Sequence, residues 1–462
     1  MISYAVMMIF CVINFDILRN LKESMLVTRL GAEAIPFIKV WAIVPAALIF
    51  LVTYSLLANY LSKRFLFIMV LLPFLVWMPL FSVVIYPNLD FFVADHFSTM
   101  LRSKLSDDLH IISALVYYWP LTVFYALAEL WGAAVMGILF WTSVNDSYST
   151  EAATGFYPFL VMAGNAGSIL SGPMMMYCVA VHPQWGDCLI TLSILFVIFG
   201  SIILILHEYC FRKTEQQSDK LSFENKKTTT CKPFFESVRY LSRSPYLGGV
   251  ALMMLSYCIA INIVEVAWKN QVVQLYSTPH SYSTFMGKLT FFYGLGCIVC
   301  GVLLTFLLKR NWRTAALATP VIMAITAIPF FLMSMDEDQK GLLGHYTVDL
   351  LVLSVIVGMV NNVFSKSAKY TLFDVTKEIA FVPLNDEQKY KGKAAIELMV
   401  SRLGKSGSSF VQQFLIVSLG TLTLALPWLA GMFFIVVIIW LYAIVKLNKR
   451  YCHLVSEKQG QN

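Results

Sequence analysis

Long apolar runs alternate along this chain with short polar gaps, and the runs are too long for the core elements of a soluble domain. Leu189 to Leu206 and Leu429 to Val445 are typical. A helix needs about 20 mostly apolar residues to cross the hydrocarbon core of a bilayer, whereas the strands of a membrane barrel show weak alternating segments of about 10. The runs therefore predict helices. About twelve spans are expected on that criterion, centred near residues 10, 48, 75, 125, 168, 198, 255, 298, 323, 355, 407 and 437.

The gaps carry a second signal, because cytoplasmic loops of membrane proteins hold the excess of lysine and arginine. Lys63 with Arg64, the segment 211–245, Lys309 to Arg313, the stretch 366–393 and Lys446 to Arg450 all fall on one side. Alternate gaps carry Asp90, Asp95, Asp107 and Asp108, or the acidic triplet at 336–338, and 182–187 has neither lysine nor arginine. Both termini are thus expected to be cytoplasmic. Met1 leads directly into the first apolar run, which ends near Phe15 without a basic leader or a small-residue cleavage site, so this run is read as a retained span.

The polar segment 212–245 divides the spans six and six. The expected organisation is an N-terminal half at 1–211, a cytoplasmic linker at 212–245, a C-terminal half at 246–447 and a cytoplasmic tail at 448–462. Similar halves joined this way build many secondary transporters, with the substrate site near the midplane. GNAGS at Gly164 to Ser168 and GKSGS at Gly404 to Ser408 echo each other across the halves. Close helix approach alone selects small residues in the same way.

Composition agrees with a membrane class. Of 462 residues, 58% are hydrophobic and 13% charged, a balance that excludes an ordinary soluble domain. The nine cysteines form no framework, and the one CxxC, Cys297 with Cys300, lies in an apolar helical run where cysteine packs as a small hydrophobe. The seven histidines show no ligand spacing, so no metal site is expected. The net charge of +7 follows from the cytoplasmic bias, and no basic patch interleaved with aromatics points to nucleic acid.

Charges that hydropathy does not explain are the informative ones. A charged side chain at mid-bilayer costs at least about 2.5 kcal/mol, so such residues line an aqueous path, pair, or bind a charged solute. Arg19 and Lys22 follow the first apolar run, and Lys39 lies in GAEAIPFIKVW of the second span. Glu129 sits inside the fourth span in AELWG, Glu265 and Lys269 end the seventh in NIVEVAWK, and Lys405 heads the eleventh. Lys288 and Arg402 are further candidates for the substrate path. Helix-end lysines and arginines can instead snorkel to the headgroups, an escape closed to the short Glu129. Cations of this kind would replace water around an anion, with carboxylates holding them in the empty state.

The motifs of catalysis are missing. GKS at Gly404 to Ser406 lacks the P-loop's first glycine, since Met399 occupies that position, and no soluble βα unit precedes it. No GxSxG, HExxH or kinase signature occurs, so neither an enzyme nor a cofactor is expected.

RNLKES, GAEAIPFIKVW, AELWG, NIVEVAWK, AKYTLFDVTKEIAFVPLN, GKAAIEL and RLGKSGSSFVQQ, in that order from Arg19 to Gln413, together resemble the nucleotide transporter family of ATP/ADP translocases from plastids, chlamydiae and rickettsiae. The resemblance implies an all-α polytopic membrane protein of major-facilitator type with twelve helices. It implies Lys39, Glu129, Glu265 and Lys405 as the substrate-binding charges, with a nucleotide as partner besides the lipid bilayer. Most such proteins exchange ATP for ADP. Others import or exchange nucleotides such as GTP, UTP, CTP or NAD, some with protons, and both readings stay open here. The chain departs from typical ATP/ADP exchangers in FWTSVND at Phe140 to Asp146 and in Ser408 with Ser409 after GKSG, departures that bear on the substrate. With no transit segment at its start, the expected location is the inner membrane of an intracellular bacterium.

Overall fold

A computed structural model describes residues 1–104, 109–147, 150–218, 244–335, 350–384, 396 and 400–461. The acidic pair at 107 and 108, the triplet at 336–338, most of the linker and all of GKAAIEL but Ile396 lie outside these residues. Among the described residues, eleven helices are long and apolar enough to cross a membrane. They are α1 (Ile2–Leu30), α2 (Ala34–Tyr60), α3 (Lys63–Ile85), α4 (Trp119–Ser147), α5 (Thr150–Val181), α6 (Trp185–Ser218), α7 (Pro245–Leu275), α8 (Pro279–Arg310), α9 (Trp312–Ser334), α10 (Leu350–Phe381) and, past α11, α12 (Leu422–Gln461). The helix expected near residue 407 is α11, Ser401–Leu419. Its opening turns carry Arg402, Lys405 and several serines, which keep it below the apolarity of the other eleven.

Local chemistry sets several boundaries. Ser62 caps α3 by accepting from the Phe65 amide, and Asn311 caps α9 by accepting from the Thr314 amide at 2.8 Å. Gly31 ends α1 at φ +76° and Gly420 ends α11 at φ +88°, a left-handed backbone that glycine adopts without a steric penalty. Four π-helical segments interrupt the described spans, at Lys39–Ile43, Phe81–Ile85, Gly132–Phe140 and Lys369–Phe373.

The chain divides into two compact units: Met1–Lys226 with Tyr276–Leu295, and Lys227–Leu275 with Gly296–Asn462. In the first, α1 is the buried centre, packing on α4, α5 and α6, and α3 packs on α6. In the second, α7 holds the same place, packing on α10, α11 and α12, and α9 packs on α10 and α12. The outward faces are apolar, with Ile49 67% and Ile438 65% exposed, as a bilayer-facing surface requires.

Two expectations need correcting. The first apolar run was expected to stop near Phe15, with Arg19 and Lys22 beyond it, yet α1 continues to Leu30. Its polar residues find partners inside the unit: Asn14 donates to the Phe196 carbonyl at 3.1 Å, Ser171 donates to Asp16 at 2.8 Å and Asn20 donates to the Ser283 carbonyl at 3.0 Å. Internal partners remove the cost that would otherwise expel such groups from a span. For the same reason the stretch expected as a loop from 366 is helical to Phe381 and belongs to α10.

Candidate functional site

Each unit gathers charges of its spans on its central helix and on the helix three places along. In the first unit, Lys22 of α1 is 4% exposed and donates to Glu129 of α4. Its ammonium also lies 4.3 Å from the centroid of the Tyr125 ring, one turn before Glu129. A desolvated ammonium over an aromatic face gains from the ring quadrupole as well as from the carboxylate. Arg19, one turn before Lys22 on α1, is half-buried. Lys39 is half-buried too and opens a π segment whose turn packs against α4.

In the second unit, Glu265 of α7 receives two lysines. Lys269, one turn later on the same helix and 3% exposed, donates to its Oε1 at 3.0 Å, and Lys366 of α10 donates to the same oxygen at 3.0 Å. Further along α10, Lys369 meets Asp374 at 3.0 Å and lies over the Tyr370 ring at 3.7 Å, while Lys377 approaches Asp374 at 3.9 Å. Asn262, one turn before Glu265, reaches α11 by donating to the Lys405 carbonyl at 3.3 Å and to the Ser409 hydroxyl at 3.0 Å. The Lys405 side chain is exposed and, among the described residues, makes no ion pair. The same holds for exposed Arg402 on α11 and exposed Lys288 on α8.

Of the expected residues, the structure joins Glu129 with Lys22 and Glu265 with Lys269. Glu265 is not paired with Lys405. Sequence reasoning passed over Lys366, Lys369 and Lys377 as site residues by assigning them to a loop. The i, i+3 spacings of Lys366 with Lys369 and of Asp374 with Lys377 were the available sign of a helix.

Arranged so, buried ammonium groups with exchangeable carboxylate partners can take an anion in a water-poor setting, where each charge–charge contact is far stronger than in water. Among the described residues no group of three His, Cys, Asp or Glu side chains could hold a metal ion.

Comparison with known proteins is consistent with this picture. A model of the TLC ATP/ADP transporter family matches residues 1–451. The chain is 36% identical to ADP,ATP carrier protein 1 of Chlamydia trachomatis, covering 98% of this chain and 89% of that one. It is 34% identical to the plastidic ATP/ADP-transporter of Solanum tuberosum, covering 98% of this chain and 73% of that one. Among solved structures it resembles a bacterial homologue of the iron transporter ferroportin in the inward-facing state, with a TM-score of 0.57, 12% identity and coverage of 98% of this chain and 99% of that one. That likeness concerns the fold.

Proposed function

The chain belongs to the TLC ATP/ADP transporter family, and from that premise we propose that it carries nucleotides across a membrane by alternating access, exchanging ATP for ADP. The observation that carries this reading is the match over residues 1–451 together with relatives on both sides, bacterial and plastidic, named as ATP/ADP carriers. Membrane-depth cations in both units support it, since a polyphosphate needs positive charge to replace its hydration.

In this scheme Lys39 and Lys405 are the lysines that bind phosphate. Glu129 and Glu265 hold cations while the site is empty, and the partners they have here, Lys22, Lys269 and Lys366, suit that task. An empty carrier reorients slowly because its carboxylates and ammonium groups hold one another in place until a ligand draws the lysines away. The proposed setting is the inner membrane of an intracellular bacterium with both termini cytoplasmic, which the lysine and arginine bias of the loops supports.

The test is uptake of labelled ATP by proteoliposomes loaded with ADP or with buffer, with and without an imposed proton gradient. Uptake that needs internal ADP and ignores the gradient supports exchange. Uptake that follows the gradient and needs no internal nucleotide replaces this reading with proton-coupled import.

A further inference from the structure

The ion pairs of the two units stand at equivalent places with their signs reversed. Lys22 lies 20 residues beyond the start of α1 at Ile2, and Glu265 lies 20 residues beyond the start of α7 at Pro245. Their partners match as well: Glu129 stands three residues before the π segment of α4 at Gly132, and Lys366 three residues before the π segment of α10 at Lys369. The central helix supplies the cation in the first unit and the anion in the second.

A glycine contact recurs at matching places around the pairs, whereas the indole bonds run in opposite directions between the two helices. Trp131 of α4 donates its indole N–H to the Cys11 carbonyl of α1 at 3.2 Å, while Trp268 of α7 donates to the Val355 carbonyl of α10 at 3.0 Å. Gly164 of α5 approaches Val12, and Gly404 of α11 approaches Leu255, residues that each lie ten positions beyond the start of their central helix. The first glycine of GNAGS and of GKSGS thus packs on the central helix of its own unit, whereas the second does so only in GNAGS, at Gly167. Preserving an ion pair between these two helices while exchanging its polarity means that each unit keeps one interhelical lysine, on α1 in one and on α10 in the other.

Building on the nucleotide-transport reading, we propose that these two pairs are phosphate-sensitive latches, and that Lys22 and Lys366 set specificity by phosphate number. Each lysine leaves its carboxylate only for a ligand that attracts it more strongly than a neighbouring carboxylate does. A monophosphate brings at most about two negative charges at neutral pH, and each further phosphate adds to them. The di- and triphosphate open the latch, and the monophosphate does not. Tyr125 steadies Lys22 in both positions through its ring face. On α7, Lys269 remains to neutralise Glu265 once Lys366 has moved.

The experiment is equilibrium binding of labelled ADP to the purified full-length protein in detergent, with AMP and ATP as competitors, for wild type, four latch variants and one control. Glu129→Gln and Glu265→Gln leave the lysines unlatched, so AMP affinity should rise and the AMP-to-ADP ratio of Kd values should fall by about tenfold, the size of one charge-assisted hydrogen bond. Lys22→Gln and Lys366→Gln should lower the same ratio from the other side, by weakening ADP and ATP while leaving AMP unchanged. Glu208→Gln, which removes the carboxylate of the pairs with Arg64 and Arg212, should leave the ratio as it is. A purely structural role would shift all three nucleotides by one common factor in all four latch variants, and that result overturns the proposal. Wild type that binds none of the three nucleotides would instead remove the transport reading itself.

Discussion

At the residue scale, stability and function separate along the charged positions. Lys269 is buried on Glu265, so Lys269→Ala takes one buried lysine from that carboxylate and should cost about 1–3 kcal/mol. A lower melting temperature in detergent would show it. Lys405 is exposed and without an ion pair among the described residues, so Lys405→Gln should leave the melting temperature within a degree or two. The same change should reduce exchange about tenfold or more, because a phosphate contact is lost. Equal losses of stability and exchange in Lys405→Gln would deny it a substrate role. Gly358 offers a purely structural control. A Cβ there would stand 2.1 Å from Cδ1 of Trp268, whose indole N–H is donated to Val355, so Gly358→Ala should displace Trp268 and destabilise the second unit by about 1–3 kcal/mol. Wild-type melting behaviour in this variant would show that α7 and α10 can yield by the missing distance.

At the element scale, the π segments carry the geometry of the site. Each adds a widened turn to a span, and Lys39 and Lys369 open such segments while Glu129 and Lys366 stand one turn before them. Deleting one residue from Lys369–Phe373 should restore regular α-helix and rotate Lys366 by about 100° relative to Asp374 and the rest of α10. Expression and helicity should persist while nucleotide exchange falls to background. Retained exchange would mean that the π turn is incidental. The helices themselves were legible in the sequence, because length and apolarity fix a span without reference to neighbours, and eleven of the expected positions follow that rule. What hydropathy missed were the second half of α1 and the end of α10. Asp16, Lys22 and Lys366 look like loop residues until Ser171, Glu129 and Glu265 are known to meet them. Partners more than a hundred positions away leave no local trace. Lys39, Glu129, Glu265 and Lys405 could be named as candidates from motif resemblance, and Lys22 and Lys269 from their place in the spans, but which of them pair could not.

At the scale of the whole molecule, two units with equivalent helix packing and reversed ion pairs make a carrier in which each unit holds its own cation against its own carboxylate. Such a molecule has a reason to reorient only when loaded, since an anion that draws the lysines away must be replaced by another before the carboxylates are left alone. Strict one-for-one exchange is the expected consequence, and membership of the TLC ATP/ADP transporter family fixes the nucleotides to try first. The most direct measurement loads proteoliposomes with labelled ADP, adds labelled ATP outside, and counts both nucleotides as they cross. Efflux of ADP should be negligible into buffer, begin on addition of ATP, and match ATP entry molecule for molecule. Comparable ADP efflux into nucleotide-free buffer would show that the empty carrier reorients freely, and would contradict the account.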